Sequence, residues 1–201
     1  MTQLILASNN VKKIAELRAI LADLALDLEV VGLDVLPVVP PMIENGATFL
    51  ENATIKAHAV AAVAPDAFVL ADDSGLVVPA LDGAPGVYSA RYAGDHDDAA
   101  NNAKLLAELA DKTDRSAQFK SVLVLTGPNR SDLVAEGSGG GQIGRELVGD
   151  GGFGYDPLFI ADETGLTFAQ MTAAQKNTIS HRGRALQNLA ATLPAWLAQE
   201  A

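Results

Sequence analysis

The chain has 201 residues, 49% of them apolar and 19% charged, with a formal net charge of -11. That is a globular composition, long enough for one sizeable domain or two lobes on a shared core, and its acidic balance excludes the broad basic surface that holds nucleic acid nonspecifically. It leaves room for a small phosphorylated ligand gripped by a few cations and backbone N–H groups, whereas the absence of cysteine excludes disulfides and thiolate metal sites and fits a reducing cytoplasm.

The opening residues Met1-Thr2-Gln3-Leu4 lack the charged and long apolar regions of a secretory signal, and no apolar run is long enough to span a bilayer. Gln3 to Ala7 predicts a buried strand. Val11 to Leu24 predicts a helix from apolar residues at Ile14, Leu17, Leu21 and Leu24. Leu28 to Val31 reads as a second strand. The Pro-rich stretch Asp34 to Gly46 reads as a long loop, and Thr48 to Val63 as an Ala-rich helix with Thr48 and Glu51 in a capping-box pattern. Phe68 to Ala71 predicts a strand ending in two aspartates. Asp98 to Leu109 predicts a helix, and Ala117 to Thr126 and Asp132 to Ser138 predict two strands joined at Gly127-Pro128-Asn129. Gly137 to Gly154 reads as a glycine-rich connection around a site, followed by a strand at Leu158 to Ile160. Ser180 caps a last helix whose face carries Leu186, Leu189, Leu193 and Leu197. Early alternation of strands and helices followed by a hairpin predicts an α/β fold with a mixed sheet, in one domain over 1–201.

Five segments carry chemistry. Ser8, Asn9, Asn10, Val11, Lys12 and Lys13 lie where a strand gives way to a helix, and a helix N-terminus with small polar residues and a lysine suits phosphate. The same residues also make an ordinary capped helix. Asp72-Asp73-Ser74-Gly75 reads either as a turn or as a cation site, because adjacent carboxylates after an apolar strand need solvent, a partner or a metal ion. Glu44 in the Pro-rich loop is a third candidate carboxylate, and Lys56 on the following helix is either a phosphate contact or a solvated lysine. The run Phe153-Gly154-Tyr155-Asp156 combines backbone freedom with rings that can stack on a purine, without Walker or Rossmann spacing. Lys176, His181 and Arg182 are donors suited to phosphate or to the carbonyl oxygens of an oxopurine. His58 and His96 lack such context and read as structural or surface residues.

Taken in order, Ser8 to Lys13 with Glu16, Glu44 to Lys56, Ala71 to Leu76, Gly83 to Tyr92, Gly151 to Pro157 and Lys176 to Arg182 resemble the Ham1-like inosine/xanthosine triphosphate pyrophosphatases. The likeness runs nearly end to end. It implies a long mixed sheet flanked by helices, two lobes around a central cleft, a homodimer, and release of pyrophosphate from inosine, deoxyinosine and xanthosine triphosphates with magnesium, or manganese, as cofactor. It implies Asp73 as proton acceptor and metal contact, with Glu44 and Asp72 in the metal environment. Ser8 to Lys13, Lys56 and Ser74 fall on the triphosphate side, and Phe153 to Asp156, Lys176, His181 and Arg182 on the nucleotide and base side. Many relatives have Thr-Gly-Asn where this chain has Ser8-Asn9-Asn10. Two rival functions are a pyrophosphatase for modified pyrimidine triphosphates and a silent nucleotide sensor; the paired aspartates speak against the sensor, which has no need of a water-activating base.

Overall fold

A computed structural model describes residues 2–23 and 28–198. The elements are β1 (Thr2–Leu6), α1 (Val11–Asp23), β2 (Leu28–Val31), α2 (Phe49–Ala61), β3 (Phe68–Val77), α3 (Asp98–Glu108), β4 (Ser116–Thr126), β5 (Leu133–Ile143), β6 (Phe159–Ala161), α4 (Ala173–Ile179) and α5 (His181–Leu197). They form one mixed sheet in the order β2-β1-β3-β4-β5-β6. β1 pairs parallel with β2 and β3, and β5 pairs antiparallel with β6. The α/β expectation with a mixed sheet is met; Leu24, assigned to the first helix, lies outside the described residues. Among those residues no helix is long and apolar enough to cross a membrane.

The chain divides into two compact units: residues 1–73, 121–137 and 184–201 form the first, and 74–120 with 138–183 the second. In the first unit both sheet faces are covered. Leu4, Leu6, Leu70, Leu123 and Leu125 pack with α1 and α5 through Leu17, Leu21, Leu186 and Leu189. Their strand neighbours Ile5, Ala7, Val69, Ala71 and Val124 pack on the opposite face with Ala53, Ala57 and Val60 of α2. Covering both faces is what makes these strands read as continuous apolar runs. A fully buried leucine such as Leu70 contributes about 1.5–3 kcal/mol. The second unit has its own core of Leu76, Leu105, Phe119, Ile143, Leu158, Phe159 and Phe168.

β4 shows both regimes within one strand. Ser116 to Lys120 alternates exposed and buried, and Ser121 to Thr126 is buried throughout. The switch at Lys120–Ser121 is also the boundary between the units.

Two sequence expectations are corrected, and one helix was not expected. The strand beginning at Phe68 does not stop before the aspartates but runs on to Val77, so Asp72 to Gly75 is strand and not a turn. Gly137 to Ile143 belongs to β5 and not to a loop. Glycine disfavours strands in general, but a Cβ on Gly141 would strike the Ile160 carbonyl and the Phe159 ring of β6. Lys176 lies on a separate helix, α4, which Thr172 and Gln175 open as a capping box and which ends at Ser180. Ser180 then caps α5 as expected, its Oγ accepting from Gly183 N at 3.1 Å.

Candidate active site

Successive side chains of a strand point to opposite faces, and β3 uses this to separate its two aspartates. Asp72 shares the face of Leu70, on which α1 packs; Asp73 shares the face of Ala71, on which α2 packs. Each carboxylate meets the cation of its own helix. Asp72 Oδ2 lies 3.2 Å from Lys13 Nζ of α1, and Oδ1 accepts from Ser121 Oγ of β4 at 2.6 Å. Asp73 Oδ1 lies 3.1 Å from Lys56 Nζ of α2, and Oδ2 accepts from Asn52 Nδ2 at 3.2 Å. Asn52 and Lys56 are one helical turn apart and so present one face of α2 to Asp73.

Glu44 joins this second group from the Pro-rich loop, its Oε2 2.9 Å from the same Lys56 Nζ. The loop is anchored beside α2 by Gly46 N donating to Asn52 Oδ1 at 2.8 Å. Thr48 caps the helix as predicted, but the Glu51 carboxylate reaches one residue further back, to Ala47 N at 2.6 Å.

The electrostatics follow from this geometry. Burial pushes the Asp73 carboxyl above the ordinary aspartate range, opposed by the charges of Lys56 and Lys13. Burial also pushes Glu44 up, but the charge and hydrogen bond of Lys56 outweigh it and Glu44 ends below its usual range. Lys56 is held above its usual value because the attraction of Asp73 and Glu44 exceeds its desolvation. The linkage signs are therefore opposite. In the metal-free protein Glu44 contributes stability above its unfolded pKa that is lost as pH falls through its lowered folded value. Asp73 contributes stability below its unfolded pKa that is lost as pH rises through its raised one.

At the start of α1, Asn10 Oδ1 accepts from Lys12 N and Lys13 N, both at 3.1 Å, and Ser8 Oγ accepts from Asn10 N at 3.1 Å. The first turn contains no acidic residue. Two lysines at the positive end of a helix dipole are unfavourable without an anion, and Asp72 answers Lys13 from within the protein.

The base-side candidates assemble within the second unit. Asp156 Oδ2 accepts from Phe153 N at 2.9 Å and lies 2.7 Å from Lys176 Nζ. Gly152, at a φ of 71°, passes so close that a Cβ there would fall on the Asp156 carboxylate. The Phe153 ring has Lys176 Nζ 5.1 Å from its centroid and Arg182 Cζ 5.8 Å from it, both within cation–π reach. Arg182 Nη2 donates to Ser74 Oγ at 2.8 Å. The His181 ring is buried and stacks on Phe119, centroids 4.7 Å apart and 11° from parallel. Burial, with Tyr92 and Asp98 adding to it, holds the Tyr155 hydroxyl well above the usual phenol range; protonated, it donates to Ser89 O at 2.9 Å.

A match to the model of the Ham1 family covers residues 4–192. The chain belongs to the Ham1 family. A Ham1-family relative from Leuconostoc mesenteroides, described as a dITP/XTP pyrophosphatase, is 52% identical over 98% of this chain and 100% of its own length. Another with that description, from Nocardia farcinica, is 51% identical over 97% of this chain and 96% of its own. Among solved structures, a HAM1 protein from Coxiella burnetii superposes with a TM-score of 0.87 at 42% identity, covering 97% of this chain and all of that one. The Staphylococcus aureus Ham1 protein gives 0.86 at 42% identity over 96% and 99% of the two chains.

Within this Ham1 fold, Glu44, Lys56 and Asp73 meet around one ammonium group, Lys13 and Asp72 meet on the other face of β3, and Phe153, Asp156, Lys176 and Arg182 form a third group. Ser121 and Asn52 were missed as site residues. A lone serine opening an apolar run gives no signal of its partner 49 residues away, whereas the Asn52–Lys56 spacing could have found Asn52. His58 is exposed and pairs with Asp132 at 2.7 Å, in keeping with its structural reading. Replacing Ser121 with alanine removes a donor from a fully buried carboxylate; urea unfolding should show a loss of about 1–3 kcal/mol, and an unchanged midpoint would mean that the bond carries no stability.

Proposed function

We propose that this protein hydrolyses noncanonical purine nucleoside triphosphates, those of inosine, deoxyinosine and xanthosine, to the monophosphate and pyrophosphate. One observation carries the reading: Asp73 sits buried on β3 between Asn52 and Lys56, with Glu44 on the same ammonium. That is a carboxylate fixed in place, screened from bulk water, and surrounded by groups that manage negative charge. Asp73 takes a proton from water, the water oxygen bonds to the α-phosphorus, and the bond from that phosphorus to the α,β-bridging oxygen breaks, releasing pyrophosphate. Lys13, Lys56 and the N-terminus of α1 balance the charge of the polyphosphate, since phosphoryl transfer needs mainly positioning and neutralisation.

Magnesium, or manganese in its place, fits the carboxylates. Glu44 and Asp73 would hold it, because their oxygens already converge on one cation. Two carboxylates are enough for such an ion, which takes one or two of them and fills its remaining positions with water and phosphate oxygens. When bound, the ion would supply charge neutralisation at the phosphates. Asp72 is assigned to holding Lys13.

The base is selected by donors. Lys176 and Arg182, beside the Phe153 ring, favour a purine bearing a 6-oxo acceptor over adenine, whose amino group would set a donor against their donors. His181, stacked and buried, orients the start of α5 beside Arg182. By family resemblance we add that the protein works as a cytoplasmic homodimer; sedimentation giving a monomer mass would remove the dimer.

The test is pyrophosphate release across inosine, xanthosine, deoxyadenosine and thymidine triphosphates, with and without chelator. Preferred turnover of the oxopurines, abolished by chelation, is expected; preferred turnover of the thymidine nucleotide, or binding of the inosine nucleotide without release, would displace the reading. Magnesium alone should raise the melting temperature, and by more near neutrality than in the carboxylate range, because the ion must displace the proton that burial favours on Asp73. A shift independent of pH would take Asp73 out of the metal site.

A further inference from the structure

We propose that Asp98 and Asn102 of α3 are positioning residues that set purine selectivity by clamping the loop Phe153 to Asp156; this rests on reading that loop as the base side. The two residues are four apart on α3 and so share one helix face. Asp98 Oδ2 accepts from Gly154 N at 2.9 Å, and Asn102 Nδ2 donates to Gly154 O at 2.9 Å. One residue of the loop is thus held at both of its backbone polar groups by a neighbouring helix.

Tyr155 is packed in the core of the second unit, but Gly154 has no side chain with which to pack. Gly154 has a φ of 62°, and a Cβ built there meets no atom within 4 Å. Its position depends on hydrogen bonds: the two from α3, and those of its neighbours, Phe153 N to Asp156 and the Tyr155 hydroxyl to Ser89 O. The orientation of the Asn102 amide is dictated by this contact, because Gly154 O can only accept. The amide oxygen, Oδ1, is then left buried with no donor among the described residues. A buried acceptor without a donor is costly and rare. A side chain whose role was packing alone would avoid that cost; one required to hold Gly154 O cannot.

Phe153 precedes this clamp directly, and its ring lies within cation–π reach of Lys176 and Arg182. A displacement of about 1 Å is enough to lose roughly a hundredfold in a positioned site. α3 therefore acts on the base through the loop, without touching it.

The experiment compares Asp98→Ala, Asp98→Asn and Asn102→Ala with the unaltered protein, measuring kcat and KM for deoxyinosine and deoxyadenosine triphosphates together with melting temperature. Both Asp98 variants remove the same charge from the first turn of α3, but only Asp98→Asn keeps an acceptor for Gly154 N. The proposal expects Asp98→Ala and Asn102→Ala to raise KM for the deoxyinosine nucleotide by about tenfold or more and to narrow its preference over the deoxyadenosine nucleotide, with kcat much less affected. Asp98→Asn should restore both parameters, with a melting temperature no lower than that of Asp98→Ala. Unaltered KM and selectivity in folded Asp98→Ala overturns it, as does an Asp98→Asn variant as impaired as Asp98→Ala. If Asn102→Ala does not fold, the Asp98 pair decides. A parent protein that does not prefer the deoxyinosine nucleotide refutes the base-side reading itself, a result distinct from unaffected variants of a selective parent.

Discussion

Replacing Asp73 with asparagine is expected to lower kcat by about 10²–10⁴-fold, the range over which a positioned general base contributes. KM should change much less, because the phosphate contact proposed for Lys13 and the base contacts proposed for Lys176 and Arg182 are untouched. The substitution is close to isosteric, yet the surroundings do not accept it passively. The Asn52 amide is fixed by Gly46 N donating to its oxygen, so its nitrogen must face Asp73. Lys56 presents a second donor on the other oxygen. An asparagine offers one acceptor to these two donors and sets its own NH₂ against the other. A modest change in stability is therefore expected, offset in part because burial already disfavours the charged form of Asp73. Circular dichroism and melting should show a folded protein, and steady-state pyrophosphate release should show the loss. Turnover within tenfold of the parent would mean that water is activated elsewhere. Glu44→Gln is the informative companion: it should weaken the response to magnesium while retaining part of the turnover at high ion concentration.

The second large effect is on stability. Asp156 and Lys176 are 3% and 5% exposed and 2.7 Å apart. Removing one partner of such a pair costs about 3–5 kcal/mol, because it leaves a buried ammonium without its carboxylate. Asp156→Ala also removes the acceptor of Phe153 N. For a chain of this size the melting temperature should fall on the order of 10 °C, which calorimetry or guanidinium unfolding would read directly. Replacing both partners together, Asp156→Leu with Lys176→Met, should recover most of that stability, since no charge is then left buried. It should not recover selectivity for the oxopurine, because one of the two donors beside Phe153, Lys176, is gone. A single variant within about 1 kcal/mol of the parent would show that the pair is not held as tightly as its geometry implies.

The local elements were legible where local signals suffice. The strand at Leu28–Val31 and the start of α3 at Asp98 stand where the pattern put them, and Thr48 caps α2 from a pattern visible in four residues. The sequence also singled out candidates that the structure brings together, Glu44 and Lys56 with Asp73 and Phe153 and Asp156 with Lys176, because carboxylates after an apolar strand and glycine-aromatic runs are chemically distinctive. The misses share a cause. Asp72 to Gly75 is turn-like by composition and Gly137 to Ile143 loop-like, yet both are strands. Their conformations are imposed by partners remote in sequence: Ser121, Lys13, Asn52 and Lys56 compensate the carboxylates, and β6 approaches so closely that only glycine fits.

The sequence by itself determined the fold class, the caps of its helices, and the presence of the acidic pair. Only the tertiary structure decided what each member of that pair faces. The period of a strand sends adjacent side chains to opposite faces, and covering those faces with different helices delivers Lys13 to Asp72 and Asn52 with Lys56 to Asp73. Adjacency along the chain carries no record of that division, because it arises from which helix packs on which face.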